Sequence, residues 1–117
     1  MDPQLTVLLQ IQDLSTKLRE MEAELGELER EHFGIEPEEA CEVIRGKIAE
    51  LEETLDRPVR RRYERIVGVV DRFVVPVIDG TCFGCFVSIP TARAGELDPN
   101  ARLQSCEECG RFIYIVK

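Results

Sequence analysis

Apolar and polar positions follow a helical period through the first part of the chain. The apolar residues come at alternating steps of four and three, the heptad pattern of a helix that packs on another helix. This seam comprises Val7, Ile11, Leu14, Leu18, Met21, Leu25 and Leu28. Asp2 followed by Pro3 is typical of a helix start. We expect a long helix that needs a partner, because an isolated rod of this length is not stable in water.

A second heptad segment follows and is the expected partner. Gly34 and Pro37 interrupt the first pattern, and apolar residues then return at Cys41, Ile44, Ile48, Leu51 and Leu55. A short connection between two heptad helices favours an antiparallel coiled-coil hairpin, here over residues 1–57. Acidic residues at the connection suit the first turn of the second helix; they are Glu36, Glu38 and Glu39.

The predicted hairpin contains one cysteine, Cys41, and one histidine, His32. Cys41 lies on the second seam, and we interpret it as a small buried hydrophobe rather than as a redox group. His32 has no second metal ligand at helical spacing, and we interpret it as a turn residue.

A dense basic stretch lies in the predicted linking helix, residues 58–68. Pro58 is tolerated in the first turn of that helix, and the basic residues are Arg60, Arg61, Arg62 and Arg65. One hypothesis is a patch that contacts phosphates. The alternative is a solvated helix face that pairs with the acidic hairpin.

From Val69 onward the pattern changes to short β-branched runs. We predict strands over residues 69–78, 86–89, 102–105 and 112–116, with a turn at Asp79-Gly80 and a loop at residues 90–100. Two CxxC pairs lie among these strands, Cys82 with Cys85 and Cys106 with Cys109, separated by twenty residues.

The two CxxC pairs predict a four-thiolate zinc site, because two residues between cysteines let one turn present both sulfurs to one ion. Gly84 inside the first turn and Gly110 after the second are expected at positive φ, where they would aim amides at the sulfurs. The alternatives are two disulfides or four unrelated thiols. The sequence thus predicts an α+β protein in which a zinc ribbon, residues 69–117, follows the helices.

Charge limits what the chain can bind. The net charge is −8, and residues 1–57 carry 6 Lys and Arg against 16 Asp and Glu. An acidic chain binds phosphate backbones poorly, so a contact with nucleic acid must be local. The candidates are Arg60, Arg61, Arg62, Arg65 and Arg111. Phe83, Phe86 and Tyr114 are available for base stacking, although we expect each of them in the small core of the ribbon.

Several classes of protein are disfavoured. No apolar run is long enough to span a membrane and no basic leader precedes one, so we place the cysteines in a reducing, cytoplasmic compartment. Four cysteines close a zinc shell, and no catalytic triad or phosphate loop is present, so we expect no enzyme. Near the N-terminus, Val7, Leu8 and Leu9 provide more apolar surface than one seam uses. This surface could dock on the ribbon or on a second molecule, which leaves the oligomeric state open.

A family resemblance adds to this interpretation. Tyr63-Glu64-Arg65-Ile66, the stretch Gly80-Thr81-Cys82-Phe83-Gly84-Cys85, Ile89-Pro90 and the run from Cys106-Glu107-Glu108-Cys109 to Gly110-Arg111-Phe112-Ile113-Tyr114 occur in that order. Over residues 58–117 the chain resembles the bacterial C4-type zinc-ribbon family, whose coiled-coil hairpin is usually much longer. The resemblance implies a cytoplasmic adaptor with a rod that binds protein, a ribbon that binds nucleic acid, zinc on Cys82, Cys85, Cys106 and Cys109, and no catalytic residues.

An alternative function belongs to transcription. A helical hairpin with an acidic tip, joined to a four-cysteine module, is similar in plan to the DksA and Gre-type factors. Those factors enter the secondary channel of RNA polymerase and place carboxylates near its catalytic metal. Here Glu36, Glu38 and Glu39 would be the tip groups, since magnesium prefers carboxylate oxygen.

Overall fold

The computed structural model describes residues 1–31, 37–89 and 99–116, with the backbone alone for residues 25–31 and 37–38. Within these residues there are three helices, α1 (Pro3–Glu31), α2 (Pro37–Glu53) and α3 (Arg57–Ile66). Four strands follow, β1 (Val74–Ile78), β2 (Thr81–Cys82), β3 (Gln104–Ser105) and β4 (Phe112–Val116). The predicted α+β class is confirmed. No described helix is long and apolar enough to cross a membrane.

The helix starts follow local signals in the sequence. The Asp2 carboxylate accepts a hydrogen bond of 2.8 Å from the backbone N–H of Gln4, as an N-cap residue does. Proline stands in the first turn of α3, after the extended residue Asp56, where its missing N–H costs no helical hydrogen bond. These short-range rules account for where α1 and α3 begin.

Helices α1 and α2 lie side by side in opposite directions. Near one end, the Gln4 side chain donates to the carbonyl of Thr54 and accepts from the N–H of Asp56. Further along, Arg45 forms an ion pair of 2.7 Å with Glu22. Cys41 is fully buried and its thiol is free, which agrees with its interpretation as a small buried residue.

The burial of α1 differs from the predicted seam. Leu5 and Leu8 are fully buried although they lie outside the seam, whereas Val7 and Leu14 are only partly buried. The reason is that the first half of α1 packs on the sheet as well as on α2. The apolar surplus near the N-terminus is therefore covered within the chain, in a cluster that includes Phe73.

The four strands form one sheet in the order β2-β1-β4-β3, in which the central β1 and β4 are parallel and each outer strand is antiparallel to its neighbour. Asp79 and Gly80, at φ 51° and 75°, form the predicted turn between β1 and β2. Positive φ at both residues is typical of a two-residue hairpin turn.

The predicted strand limits need correction. Residues 86–89 form only one bridge, between Ser88 and Thr81, and the strand there is β2, which the sequence pattern missed. The chain turns at residues 83–85 to present a cysteine, and it then returns beside β2, where the carbonyl of Val87 accepts from the N–H of Cys82 at 3.0 Å, without forming a strand. β1 begins at Val74 rather than Val69, and most of the predicted loop at 90–100 lies outside the described residues.

The two faces of the sheet bury different partners. Alternating side chains point to opposite faces of a strand, and Val74 and Phe112 pack with all three helices in one cluster. In that cluster the Tyr63 and Phe73 rings meet edge to face, with centroids 5.2 Å apart. On the opposite face, Val75, Val77, Ile113 and Ile115 pack with Cys82 and Cys106. The helix-facing cluster crosses both predicted boundaries, 57/58 and 68/69.

Each outer strand has only two residues. Where these short strands do not reach, two amide side chains form hydrogen bonds with the backbone of the central strands. Gln12, 6% exposed, donates to the carbonyl of Val74 and accepts from its N–H, both at 2.8 Å. Asn100 binds the N–H and carbonyl of Ile115 in the same way, at 2.7 and 2.9 Å. A side-chain amide therefore replaces a strand at each position.

We expect Gln12→Ala to lower the free energy of unfolding by about 2–3 kcal/mol, because two buried backbone groups of Val74 lose their partner. The matched control is Gln10→Ala on the exposed side of α1, which should change stability by less than about 0.5 kcal/mol. Urea denaturation of the zinc-loaded protein measures both. Equal losses in the two variants would contradict this role of Gln12.

Candidate metal centre

The four predicted cysteine ligands meet at one end of the sheet. Cys82 ends β2 and Cys85 lies in the turn that follows, here called the first knuckle (residues 82–86). Cys106 follows β3 directly and Cys109 lies in the next turn, the second knuckle (residues 106–110). Because the central strands are parallel neighbours, the two hairpins stand side by side and bring the knuckles together.

The sulfur positions fit one tetrahedral ion. All four Sγ atoms lie within 4.8 Å of one another; Cys82 Sγ is 3.9 Å from Cys109 Sγ, and Cys85 Sγ is 3.6 Å from Cys106 Sγ. Four sulfurs at about 2.3 Å from a zinc ion are about 3.8 Å apart. The two sulfurs of a disulfide are about 2.05 Å apart. These four cysteines are therefore free thiols, in an arrangement that could hold a metal ion.

Backbone amides surround the sulfurs. The N–H of Gly84 donates to Cys82 Sγ at 3.4 Å. Burial raises the pKa of the Cys109 thiol, but hydrogen bonds with the backbone N–H and the guanidinium of Arg111 and with the thiols of Cys106 and Cys85 together outweigh it, so the pKa falls to about 7. Hydrogen bonds of this kind stabilise a thiolate, the form that binds metal.

The thiols of Cys85 and Cys106 behave in the opposite way. The backbone amide of Val87 favours the Cys85 thiolate, yet burial and the neighbouring thiols outweigh it and raise its pKa to about 12. Burial likewise raises the pKa of Cys106. Crowded sulfurs cannot all ionise at neutral pH without a cation, so a bound dication would have to displace protons from this cluster.

The glycines at the knuckles have different roles. Gly110, directly after Cys109, has φ 76°, as predicted. Gly84 is not in the left-handed region, so the prediction of positive φ is wrong there. A Cβ at position 84 would lie 2.6 Å from Cδ of Arg111, so glycine is what lets the Arg111 side chain approach this backbone closely. The left-handed residue of the first knuckle is Phe86, at φ 62° and in the same place after its cysteine.

The predicted basic residues separate into three groups. Arg62 and Arg65 line a cleft of about 750 Å³ between α3 and the second knuckle, here called the arginine cleft. Arg60 forms an ion pair of 3.1 Å with Glu64, and Arg61 is exposed. Arg111 lies at the first knuckle instead.

Contacts hold several of these arginines in place. Arg62 donates to Ser105 Oγ, and its guanidinium carbon lies 5.4 Å from the centre of the Phe112 ring. Arg111 donates to the carbonyls of Arg72 and Gly84 at 2.9 and 3.3 Å.

Sequence reasoning missed one arginine of the cleft. Arg102 lines it beside Arg62 and Arg65, but it stands alone in the sequence, 37 residues after the end of the basic stretch at Arg65. Only the pairing of β3 with β4 brings it there. The rest of the lining is mixed: apolar side chains come from Ile66, Val69, Val70 and Leu103, and polar groups include Glu107 and the candidate ligands Cys106 and Cys109.

The aromatic residues only partly match expectation. Phe83 and Phe86 are 45% and 72% exposed, so the expectation that both are core residues is wrong. Tyr114 is partly buried against the helix-facing cluster, as expected.

The predicted hairpin tip falls mostly on residues that are not described. His32 and Glu36 lie outside the described residues, as does the side chain of Glu38. Glu39 is exposed near the start of α2.

No family model, curated protein or solved structure matches the chain.

We expect the purified protein to contain a single zinc ion per chain and to lose its cooperative thermal unfolding when a chelator removes the ion. Structural zinc contributes about 10–16 kcal/mol, similar to the whole stability of a small domain. Cys106→Ser should abolish stoichiometric zinc and reduce helical circular dichroism, because the helices share the sheet. Cys41→Ser, in α2, should retain the zinc. An unfolding transition indifferent to chelation would contradict a structural metal.

Gly110→Ala should destabilise the protein by about 1 kcal/mol, because alanine is strained at φ 76°. No atom lies within 4 Å of the added Cβ, so the cost is conformational only. Gly68→Ala is the matched control, since its Cβ also meets open space and its φ is not left-handed. Thermal unfolding of zinc-loaded protein should show a lower Tm for Gly110→Ala and an unchanged Tm for Gly68→Ala. Equal shifts would contradict the argument.

Proposed function

We propose that the chain is a non-enzymatic zinc-binding adaptor, in which a zinc ribbon contacts nucleic acid and the paired helices bind a protein partner. The observation that carries this proposal is the closed set of four sulfurs at one end of a sheet whose opposite face holds the helices. In that arrangement zinc fixes the shape of both binding surfaces. The resemblance to the C4-type zinc-ribbon family implies the same division of roles.

A structural rather than catalytic zinc follows from the donor set. Catalytic zinc keeps one coordination position for water or substrate beside three protein ligands. Here four cysteine sulfurs converge, and they would leave no such position. Thiolate coordination within a reducing cytoplasm is the setting that we propose for this site.

Support for a protein-binding role comes from the shape and charge of the helices. The described chain extends 56 Å along its longest axis and 27 and 24 Å across. Residues 1–57 contain 6 Lys and Arg against 16 Asp and Glu, a net charge of −10, and Val43 is 72% exposed on α2. Such a surface suits a partner with a basic face and some apolar contact.

The arginine cleft supports the nucleic-acid contact. It combines Arg62, Arg65 and Arg102 with an apolar wall, and phosphates and bases offer the complementary chemistry. Arg62 is already oriented by Ser105 and Phe112. Arg61 and Arg65 form no ion pair within the described residues. We therefore place RNA or DNA at this cleft, as part of a role in transcription or RNA regulation.

We expect the double substitution Arg65→Ala with Arg102→Ala, which removes two arginines that line the cleft, to weaken binding to single-stranded RNA. The slope of log K against log salt should fall by about one unit for each phosphate that the variant no longer neutralises. Fluorescence anisotropy of a labelled oligonucleotide over a salt series measures the slope. Lys17→Ala, exposed on α1, removes a positive charge elsewhere and should leave the slope unchanged.

The outcomes separate the two surfaces. An unchanged slope in the double variant would remove the arginine cleft from the proposal. A pull-down from native extract with and without nuclease tests the other surface: a dominant partner that survives nuclease and no longer binds after substitution of α1 or α2 residues would establish protein recognition by the helices.

A further inference from the structure

The first knuckle and the residue directly after it carry three exposed apolar side chains that neither the metal site nor the arginine cleft uses. Phe83, Phe86 and Val87 are 45%, 72% and 40% exposed, and together we call them the aromatic knob. The two rings touch one another, with centroids 5.8 Å apart and planes tilted by 45°. Large apolar residues grouped on a surface are typical of interaction sites.

Phe86 occupies a position that the fold would fill better with glycine. It has φ 62° directly after Cys85, whereas the second knuckle has Gly110 at φ 76° directly after Cys109. A bulky residue in the left-handed region is strained, and the side chain is mostly exposed, so burial does not compensate. Strain that the fold does not require is typical of a functional position.

The knuckle presents the knob rigidly. The N–H of Phe86 donates to the carbonyl of Cys82 at 2.7 Å, and the N–H of Cys82 donates to the carbonyl of Val87 at 3.0 Å. Behind the turn, the Arg111 side chain packs against Gly84. A group held in its binding geometry loses little entropy when it binds.

From this arrangement we infer that the aromatic knob anchors the chain in an apolar pocket of a second, different protein. Residues 82–89 contain no basic side chain that could pair with a phosphate, so phosphate is disfavoured there. The nearby Arg111 guanidinium is engaged by the carbonyls of Arg72 and Gly84. Aromatic residues in apolar pockets are the usual anchors of protein interfaces.

The size of the knob argues against a contact between two copies of this chain through the knob alone. Stable interfaces bury at least about 1,200 Å² in total, and three side chains cover much less. The knob therefore acts as one anchor within a larger interface. This inference goes beyond the nucleic-acid contact proposed above and does not depend on it.

Photo-crosslinking in the native cell tests the inference. Phe86 is replaced by p-benzoylphenylalanine in the full-length chain, and Val116, which is 44% exposed and lies at the end of β4 away from the knuckles, is replaced in the control. We expect a discrete protein adduct from position 86 that is absent from position 116. The adduct is identified by mass spectrometry, and the purified partner is then titrated with zinc-loaded wild type, Phe86→Gly and Val116→Ala.

The expected result is a Kd about tenfold or more weaker for Phe86→Gly, with wild-type affinity for Val116→Ala. The Tm of Phe86→Gly should equal or exceed that of the wild type, because glycine accepts positive φ without strain, and RNA affinity should not change. A lower Tm would make Phe86 a residue of the fold and would overturn the inference. An adduct to nucleic acid or to a second copy, or none beyond the control, would overturn it as well.

Discussion

The structure depends on bringing four sulfurs to one point. Two short hairpins meet there, and each hairpin alone is too small to bury a core. Thiolates at this spacing would repel one another, so a bound cation would be needed to balance their charge if all four were ionised. One face of the sheet packs with Cys82 and Cys106, while the other face receives the helices. The coordination site and the helix-packing core therefore share one thin layer, and neither is complete without the other.

This shared layer explains why α1 departs from a simple heptad. A helix that paired only with α2 would bury one seam, but α1 must also cover the sheet, and so it buries Leu5 and Leu8 on a second face. Gln12 is the polar counterpart of the same requirement, because the helix that covers β1 must also satisfy the backbone of Val74. The first half of α1 is thus part of the core that the sheet forms as well as of the helical pair.

Features with local causes can be predicted from the sequence, and features with long-range causes cannot. The N-cap at Asp2, the turn at Asp79-Gly80 and the cysteine spacing each act over a few residues, and the sequence pattern predicts each of them. The place of Arg102 depends on strand pairing, and the need for glycine at position 84 depends on Arg111, 27 residues later. Phe86 shows a further limit, since the pattern predicts a left-handed residue at a glycine and the structure has it at a phenylalanine.

The amide side chains of Gln12 and Asn100 have a consequence for solubility. The strands they bind, Val74–Ile78 and Phe112–Val116, are five-residue apolar segments without charge. Phe112–Val116 also lacks proline, so its composition favours cross-β aggregation, whereas Pro76 weakens that tendency in Val74–Ile78. An open strand edge can template pairing with another chain, and the outer strands cover only part of each edge. By occupying hydrogen-bonding groups of Val74 and Ile115, the two amides act as gatekeepers that deny a second chain a continuous ladder on either side of the sheet.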